Sequence, residues 1–141
     1  YFQELKGQIL FENGKINEAL PFYEKAVLLG QGSHLLHRAL GRVLIETGNP
    51  ALLQKAIKNL NIAINSDKSD TFTWRLLGTA YGKAGKLGKS SLALAEEALL
   101  NRKEADAKSH SERAASLFEE GTADWLQAMD ILQTLKNKKP K

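Results

Sequence analysis

Hydrophobic and small residues recur along the chain at helical spacing. In the stretch LKGQILFENGKINEALPFYEKAV, from Leu5 to Val27, apolar positions return every three to four residues. A weaker copy, LGRVLIETGNPALLQKAIKNLNIAI, begins at Leu40. This period is typical of amphipathic α-helices and differs from the alternation of β-strands. The sequence therefore predicts an all-α chain of about eight antiparallel helices.

Two sets of glycines repeat at the length of a helical hairpin. The first set is Gly7, Gly41 and Gly78, and the second set is Gly14, Gly48 and Gly85. In each set, successive members lie 34 and 37 residues apart. We expect the first set at close helix crossings, where a bulky side chain would push the axes apart. The second set is expected to take the left-handed conformation that ends a helix.

The glycines and the alanines that follow them divide the chain into repeat units. We predict four units, at about 1–33, 34–70, 71–103 and 104–137, within a single domain over 1–137. A basic tail, 138–141, follows. The third unit departs from the pattern because Glu97 stands at an expected alanine. A fourth register then begins at Ala95, so one helix, at about 88–101, is predicted to be shared between two registers.

The last helix is predicted around residues 124–135. It is expected to cap the array with four residues on one face, namely Trp125, Ala128, Met129 and Leu132.

The repeat resembles the tetratricopeptide (TPR) motif of about 34 residues. The residues that carry the resemblance are Gly7, Leu10, Gly14, Ala19, Tyr23 and Ala26, and in the third unit Trp74, Leu77, Gly78, Tyr81 and Gly85. The resemblance implies a TPR-like right-handed superhelix in which the first helix of each unit lines a concave groove. It also implies that the chain binds proteins or peptides.

Three stretches are similar to the C-terminal TPR region of periplasmic zinc metallopeptidases of the BepA kind, the beta-barrel assembly-enhancing proteases. They are YFQELKGQILFENGK, AYGKAGKLGKSSLALAEEALL and DWLQAMDIL. This resemblance implies a periplasmic module that recruits unfolded outer-membrane proteins or their assembly machinery. The zinc motif HExxH is absent from the sequence, so we predict that this chain is not an enzyme and holds no cofactor. Zinc is expected only in a peptidase domain preceding Tyr1. The alternative is a free-standing cytoplasmic TPR scaffold with no attached enzyme.

Composition and charge argue against several other classes of function. The chain has 141 residues, a net charge of +4 and no cysteine, which excludes disulfides and thiolate metal sites. Four lysines at the C-terminal end supply the excess charge, so the other residues balance at 16 basic and 16 acidic (20 minus 4, against 16). Nucleic-acid binding is therefore not expected.

There is no apolar run of about 18 residues, so no membrane span is expected. The sequence has no signal peptide, and because it opens at Tyr1 without Met we expect a fragment.

Two small motifs are candidates for a metal or phosphate site. His34 and His37 lie three apart on one predicted helix, but two imidazoles alone are a weak metal signal. The run Gly88, Lys89, Ser90 matches only the end of a phosphate-binding loop, because Lys83 stands where its first glycine belongs. Neither of these motifs predicts a metal or phosphate site.

The predicted binding groove follows from the first helices. The predicted positions are Leu35, Arg38, Arg42, Ile45, Phe72, Arg75, Thr79 and Lys83, and the upstream helix adds Tyr1, Glu4, Gln8, Phe11 and Glu12. Arginines beside apolar residues suit a peptide that carries apolar anchors and a carboxylate.

Two alternatives to this groove stay open. Glu4, Glu12 or Glu46 could neutralise the arginines, and Phe11, Ile45 and Phe72 could pack between helices. A chaperone-tail clamp is disfavoured, because Glu4 and Gln8 stand where that clamp needs Lys and Asn.

Overall fold

The computed structural model describes residues 2–30 and 33–138, and these residues form eight α-helices and no strand. The helices are α1 Phe2–Glu12, α2 Ile16–Leu28, α3 His34–Glu46, α4 Leu53–Ser66, α5 Thr71–Lys83, α6 Leu87–Leu100, α7 Glu104–Leu117 and α8 Ala123–Asn137. A 3₁₀ turn, Pro50–Leu52, precedes α4. The all-α prediction is confirmed. Tyr1 and residues 139–141, from the predicted groove and tail, lie outside the described residues.

Two compact units, Tyr1–Lys68 and Ser69–Lys141, make up the chain. In the first unit, α1 packs on α2, α2 on α3, and α3 on α4. In the second unit, α5 packs on α6, α6 on α7, and α7 on α8, while α6 also touches α8. Sequence neighbours are thus packing neighbours throughout each unit. The single domain over 1–137 and its four repeat boundaries stay predictions.

The second set of glycines ends the first helices as predicted. Gly14, Gly48 and Gly85 have φ of +76°, +70° and +77°, in the left-handed region. At the end of α1, the Gly14 N–H donates to the Phe11 carbonyl at 3.0 Å and the following N–H, of Lys15, donates to Leu10 at 2.9 Å. These paired bonds satisfy carbonyls that the helix end would otherwise leave open.

Arg102 takes the same backbone position after α6, although it is not a glycine. Its φ is +59°, and its N–H donates to the Leu99 carbonyl at 3.1 Å. The next N–H, of Lys103, donates to Ala98 at 2.9 Å. The turn between α6 and α7 therefore has the geometry of the turns that follow Gly14 and Gly85. α6 closes one hairpin with α5 and opens another with α7, as the two overlapping registers predict.

The first set of glycines lies at close helix crossings, which confirms the expected role. A Cβ atom on Gly41 would lie 2.6 Å from Leu60 Cγ, and one on Gly78 would lie 2.8 Å from Leu94 Cδ2. Cβ atoms essentially never approach other atoms this closely, so the leucine side chain or its helix would have to shift. A Cβ atom on Gly7 would likewise lie 2.8 Å from Cδ2 of the Tyr23 ring.

In the fourth register, small residues stand at the positions that correspond to a crossing pair of the third. Ala95 lies seven residues before Arg102, as Gly78 lies seven before Gly85. The large residue that faces Gly78, Leu94, comes 16 residues later, and the same spacing from Ala95 leads to Ser111. Ala95 and Ser111 are both fully buried, and the Ser111 hydroxyl has no hydrogen-bond partner among the described atoms. By this spacing, the fourth register has alanine and serine where the third has glycine and leucine.

The predicted face of α8 is wrong in part. Ala128 and Ile131 are buried, at 0% and 4% exposed, and they pack with Leu92, Ala95 and Ala114. Met129, which was predicted to share the buried face, is 38% exposed. At about 100° per residue, Ile131 lies about 60° to one side of Ala128 and Met129 lies about 100° to the other side, so Met129 falls outside the buried face.

Gly41→Leu should destabilise the first unit by more than the ~1 to 3 kcal/mol typical of overpacking, because Leu60 has no space to retreat. Chemical denaturation followed by circular dichroism measures this loss. The smaller change Gly41→Ala should cost clearly less in a Leu60→Ala background than in the parent, because the truncated neighbour leaves room for the methyl group. Equal costs in the two backgrounds would refute the contact.

Arg102→Gly should raise the free energy of unfolding by about 1 kcal/mol, because glycine enters the left-handed region without a Cβ penalty. The matched control is Lys103→Gly, one residue later, where φ is −91° and glycine only adds freedom to the unfolded chain. We expect this control to be destabilised. A higher free energy of unfolding in both variants, or in neither, would contradict a left-handed conformation at Arg102.

Candidate peptide-binding surface

Three of the four predicted groove residues of α3 share one face. The helix begins after Ser33, whose hydroxyl accepts the Leu35 N–H at 3.2 Å. Leu35 is 46% exposed, Arg38 is half-buried and Arg42 is exposed. Residues three and four apart on a helix are surface neighbours, so the three side chains form a continuous strip.

Ile45 does not belong to this strip. It is only 4% exposed, so it is a core residue and offers no contact to a peptide. The reason is its register, because Ile45 lies four residues after Gly41 and so shares the face that crosses α4. The exposed residue that continues the strip is the next one, Glu46.

The four predicted residues of α5 all face solvent. Asp70 begins this helix, since its carboxylate accepts the N–H groups of Phe72 and Thr73 at 3.1 and 3.3 Å. After this N-cap, exposed residues recur at helical spacing. They are Phe72, Arg75, Thr79 and Lys83. Phe72 is 36% exposed, a large value for an aromatic side chain in a helix.

The two strips correspond residue by residue, one in each unit. Leu35 and Phe72 lie 37 residues apart, as do Arg38 and Arg75. By the same spacing, Lys83 corresponds to Glu46 and not to the buried Ile45. Each strip therefore begins with an exposed apolar residue followed, three residues later, by arginine. Whether both strips contact one ligand stays a prediction.

The arginines of the strips have partners within the protein. Arg75 Nε donates to Glu97 Oε2 at 2.7 Å, with the arginine side chain 62% exposed and the glutamate 13%. The Arg42 guanidinium lies 4.8 Å from the centre of the Phe11 ring, within the range of a cation–π contact. Arg38 also interacts with other groups. In the sequence, Glu97 stands where the repeat pattern expects alanine, and in the structure its carboxylate pairs with Arg75.

Tyr23 lies where charges from α1 and α3 converge. Its side chain is buried, and burial, followed by the Glu4 carboxylate, raises the pKa of the phenol. The Arg42 guanidinium opposes this shift, and Glu12 adds to it. Charges on α1 and α3 therefore act in opposite directions on one hydroxyl. Whether glutamates on α1 balance the arginine charge stays a prediction.

The small motifs weighed from the sequence have structural roles. His37 Nδ1 lies 2.9 Å from Asn59 Oδ1, a hydrogen bond that joins α3 to α4. Gly88 lies within α6, where a Cβ would come 2.9 Å from Phe118 Cζ, so it is a helix-contact glycine. Lys89 pairs with Asp124 at 3.1 Å. Across residues 2–30 and 33–138, no three His, Cys, Asp or Glu side chains group as metal ligands would.

The helices that the structure describes include none with the length and apolarity needed to span a bilayer.

Comparison with known proteins identifies the fold. No protein-family model matches the sequence, and no curated protein is significantly similar to it. Among solved structures, the chain is similar to the MamA RS-1 ArsTM double mutant, with a TM-score of 0.66 at 17% sequence identity. The match covers 96% of this chain and 76% of that one. MamA contains TPR repeats, so the TPR-like helical fold is confirmed. The narrower resemblance to peptidases of the BepA kind stays a prediction.

Tyr23→Phe should remove a pH-dependent part of the stability. The folded pKa of Tyr23 is raised, so above pH ~10 the unfolded chain loses this proton before the folded chain does. The stabilisation is complete below pH ~10 and is lost as pH rises through the folded pKa. Unfolding free energies measured at pH 8 and pH 11 should therefore fall further in the parent than in Tyr23→Phe. Parallel declines would show that the phenol is not perturbed.

Proposed function

We propose that the chain is a protein-binding module in which each strip, the one on α3 and the one on α5, receives an extended segment of a partner. The supporting observation is the recurrence of one exposed pair, Leu35 with Arg38 and Phe72 with Arg75. An apolar anchor next to a guanidinium suits a ligand that alternates apolar and acidic groups.

Arg75 can serve a ligand without giving up its internal partner. The hydrogen bond to Glu97 uses Nε, whereas a guanidinium carries five N–H donors in a fixed plane. The remaining donors are on the outer end of a side chain that is 62% exposed. A ligand carboxylate would therefore join the existing ion pair, so binding need not leave Glu97 buried and unpaired.

The finer proposal concerns the parent protein. We propose that this module is the C-terminal, substrate-recruiting region of a periplasmic zinc metallopeptidase in outer-membrane protein quality control. The three similar stretches of sequence support it. In this proposal the peptidase domain holds the zinc and cleaves, while the present chain recruits unfolded outer-membrane proteins or their assembly machinery. The sequence preceding Tyr1 tests this part. A signal sequence and HExxH there support it, and a gene that encodes neither would favour the cytoplasmic scaffold.

Binding is tested by titrating an unfolded outer-membrane protein segment against the parent chain and against Arg38→Glu with Arg75→Glu. We expect this double variant to lose at least tenfold in affinity, about 1.4 kcal/mol, because it replaces attraction by repulsion at both strips. Isothermal titration calorimetry at physiological salt gives the affinities, and a melting curve of each variant checks that the fold is retained.

The control variant carries the same change in charge near the C-terminus, Lys136→Glu with Lys138→Glu. Both lysines are exposed, so screening by salt should keep their effect on binding small. If the tail variant loses binding while the strip variant keeps it, the basic C-terminus is the contact and the strips are not.

A further inference from the structure

A separate groove lies in the first unit, between α2 and α4. Its volume is about 370 Å³, its floor is formed by α3, and it is open to solvent. The floor residues, His37 and Leu40, lie on the other side of the Gly41 crossing from the strip of Leu35, Arg38 and Arg42. A ligand in this groove would therefore approach a different face of α3 from the one used by the strip.

The apolar part of the groove is unusually exposed at its edge. Leu28, at the end of α2, is 84% exposed, and Ile62, on α4, is 40% exposed. Leu40 on the floor is only 2% exposed, so the apolar surface runs from the core to the edge. Concave apolar surface with a few fixed polar groups is the usual form of a binding site.

The polar part of the groove is held in place by internal bonds. Glu24 on α2 forms an ion pair with Lys55 on α4, which connects the two walls. Asn59 is 7% exposed, and its side chain is bonded at both ends, with Oδ1 against His37 Nδ1 and Nδ2 donating to the Lys55 carbonyl. These groups are already satisfied, so the groove is formed before a ligand arrives and little ordering is needed on binding.

Charge along the groove selects the ligand. Two lysines, Lys55 and Lys58, line it against one carboxylate, that of Glu24. Glu24 pairs with Lys55, and Lys58 has no ion-pair partner among the residues that the structure describes. The groove thus presents one uncompensated positive charge next to Ile62, which lies four residues further along the same helix face.

We infer that this groove docks an amphipathic, acidic helix of a partner protein. An apolar side chain of that helix enters between Leu28 and Ile62, and a carboxylate on the next turn pairs with Lys58. A helix fits because the walls are themselves helices, and ridges of a third helix pack into the groove between two. This docking site is independent of the strips on α3 and α5.

The probe is a labelled peptide of 14 residues, the length of α4, with Leu recurring every three to four residues and Glu elsewhere. Its twin carries Lys in place of every Glu. We expect the Glu peptide to bind with at least tenfold higher affinity than the Lys peptide, as measured by fluorescence anisotropy. Lys58→Glu and Leu28→Asp should each weaken the Glu peptide at least tenfold.

Matched controls separate the groove from general charge and general apolarity. Lys25→Glu changes an exposed lysine of α2 that does not line the groove, and Leu117→Asp changes a half-exposed leucine of α7 in the other unit. Both should keep the affinity within about twofold of the parent, a change of only ~0.4 kcal/mol. A loss in Lys25→Glu equal to that in Lys58→Glu would overturn the inference, as would equal binding of the two peptides.

The strip variant, Arg38→Glu with Arg75→Glu, distinguishes the two binding sites. This variant should keep its affinity for the Glu peptide. When the peptide is titrated, the changes in backbone amide NMR chemical shifts should be largest around Leu28 and Ile62. If this variant loses the peptide while Lys58→Glu keeps it, the acidic helix binds the strips and the groove is not its site. Failure of the outer-membrane segment to bind the strips leaves the result for the groove unaffected.

Discussion

The close approach of α3 to α4 at Gly41 organises the surfaces of the first unit. Because Leu60 occupies the space that a side chain at Gly41 would need, this point of α3 must face α4. A helix turns by about 100° per residue, so that single contact fixes the direction of every other side chain on α3. Ile45 follows Gly41 into the core, the strip falls on one side of the crossing, and the groove floor falls on the other.

The backbone features were readable from the sequence because they depend on single residues at fixed spacing. A left-handed helix end and a close crossing both favour glycine, so the two glycine sets located most of the turns and contacts. Side-chain partnerships were not readable. Arg75 meets Glu97, 22 residues away, only because α5 and α6 pack at one particular offset. The groove was missed as well, because its walls lie on α2 and α4, and the packing of two helices that are not neighbours in sequence leaves no fixed spacing in the chain.

The departures from the repeat in the second unit have a common cause in α6. This helix packs against α5 through Leu94, which fills the space above Gly78, and against α7 on its other side. A helix that serves as second member of one hairpin and first member of the next must satisfy two sets of spacing at once. By sequence spacing, Ala95 corresponds to the crossing glycine Gly78, and the fully buried Ser111 corresponds to Leu94. Arg102 adopts a backbone conformation that glycine adopts at the other turns, so the repeat pattern weakens here although the helical hairpin is kept.

The two candidate surfaces differ in what a ligand must displace. On the strips, Arg75 is bonded to a largely buried carboxylate and Arg42 lies over an aromatic ring. Drawing Arg75 away from Glu97 would leave a poorly solvated carboxylate, so a ligand that adds to this ion pair gains more free energy than one that replaces it. In the groove the buried polar groups already satisfy one another, and Lys58 gives up only water on binding. The strips therefore favour a ligand whose carboxylates match the outer donors of Arg75, which is a geometric requirement. The groove selects by apolar fit and by the sign of charge, and a short acidic helix meets both conditions.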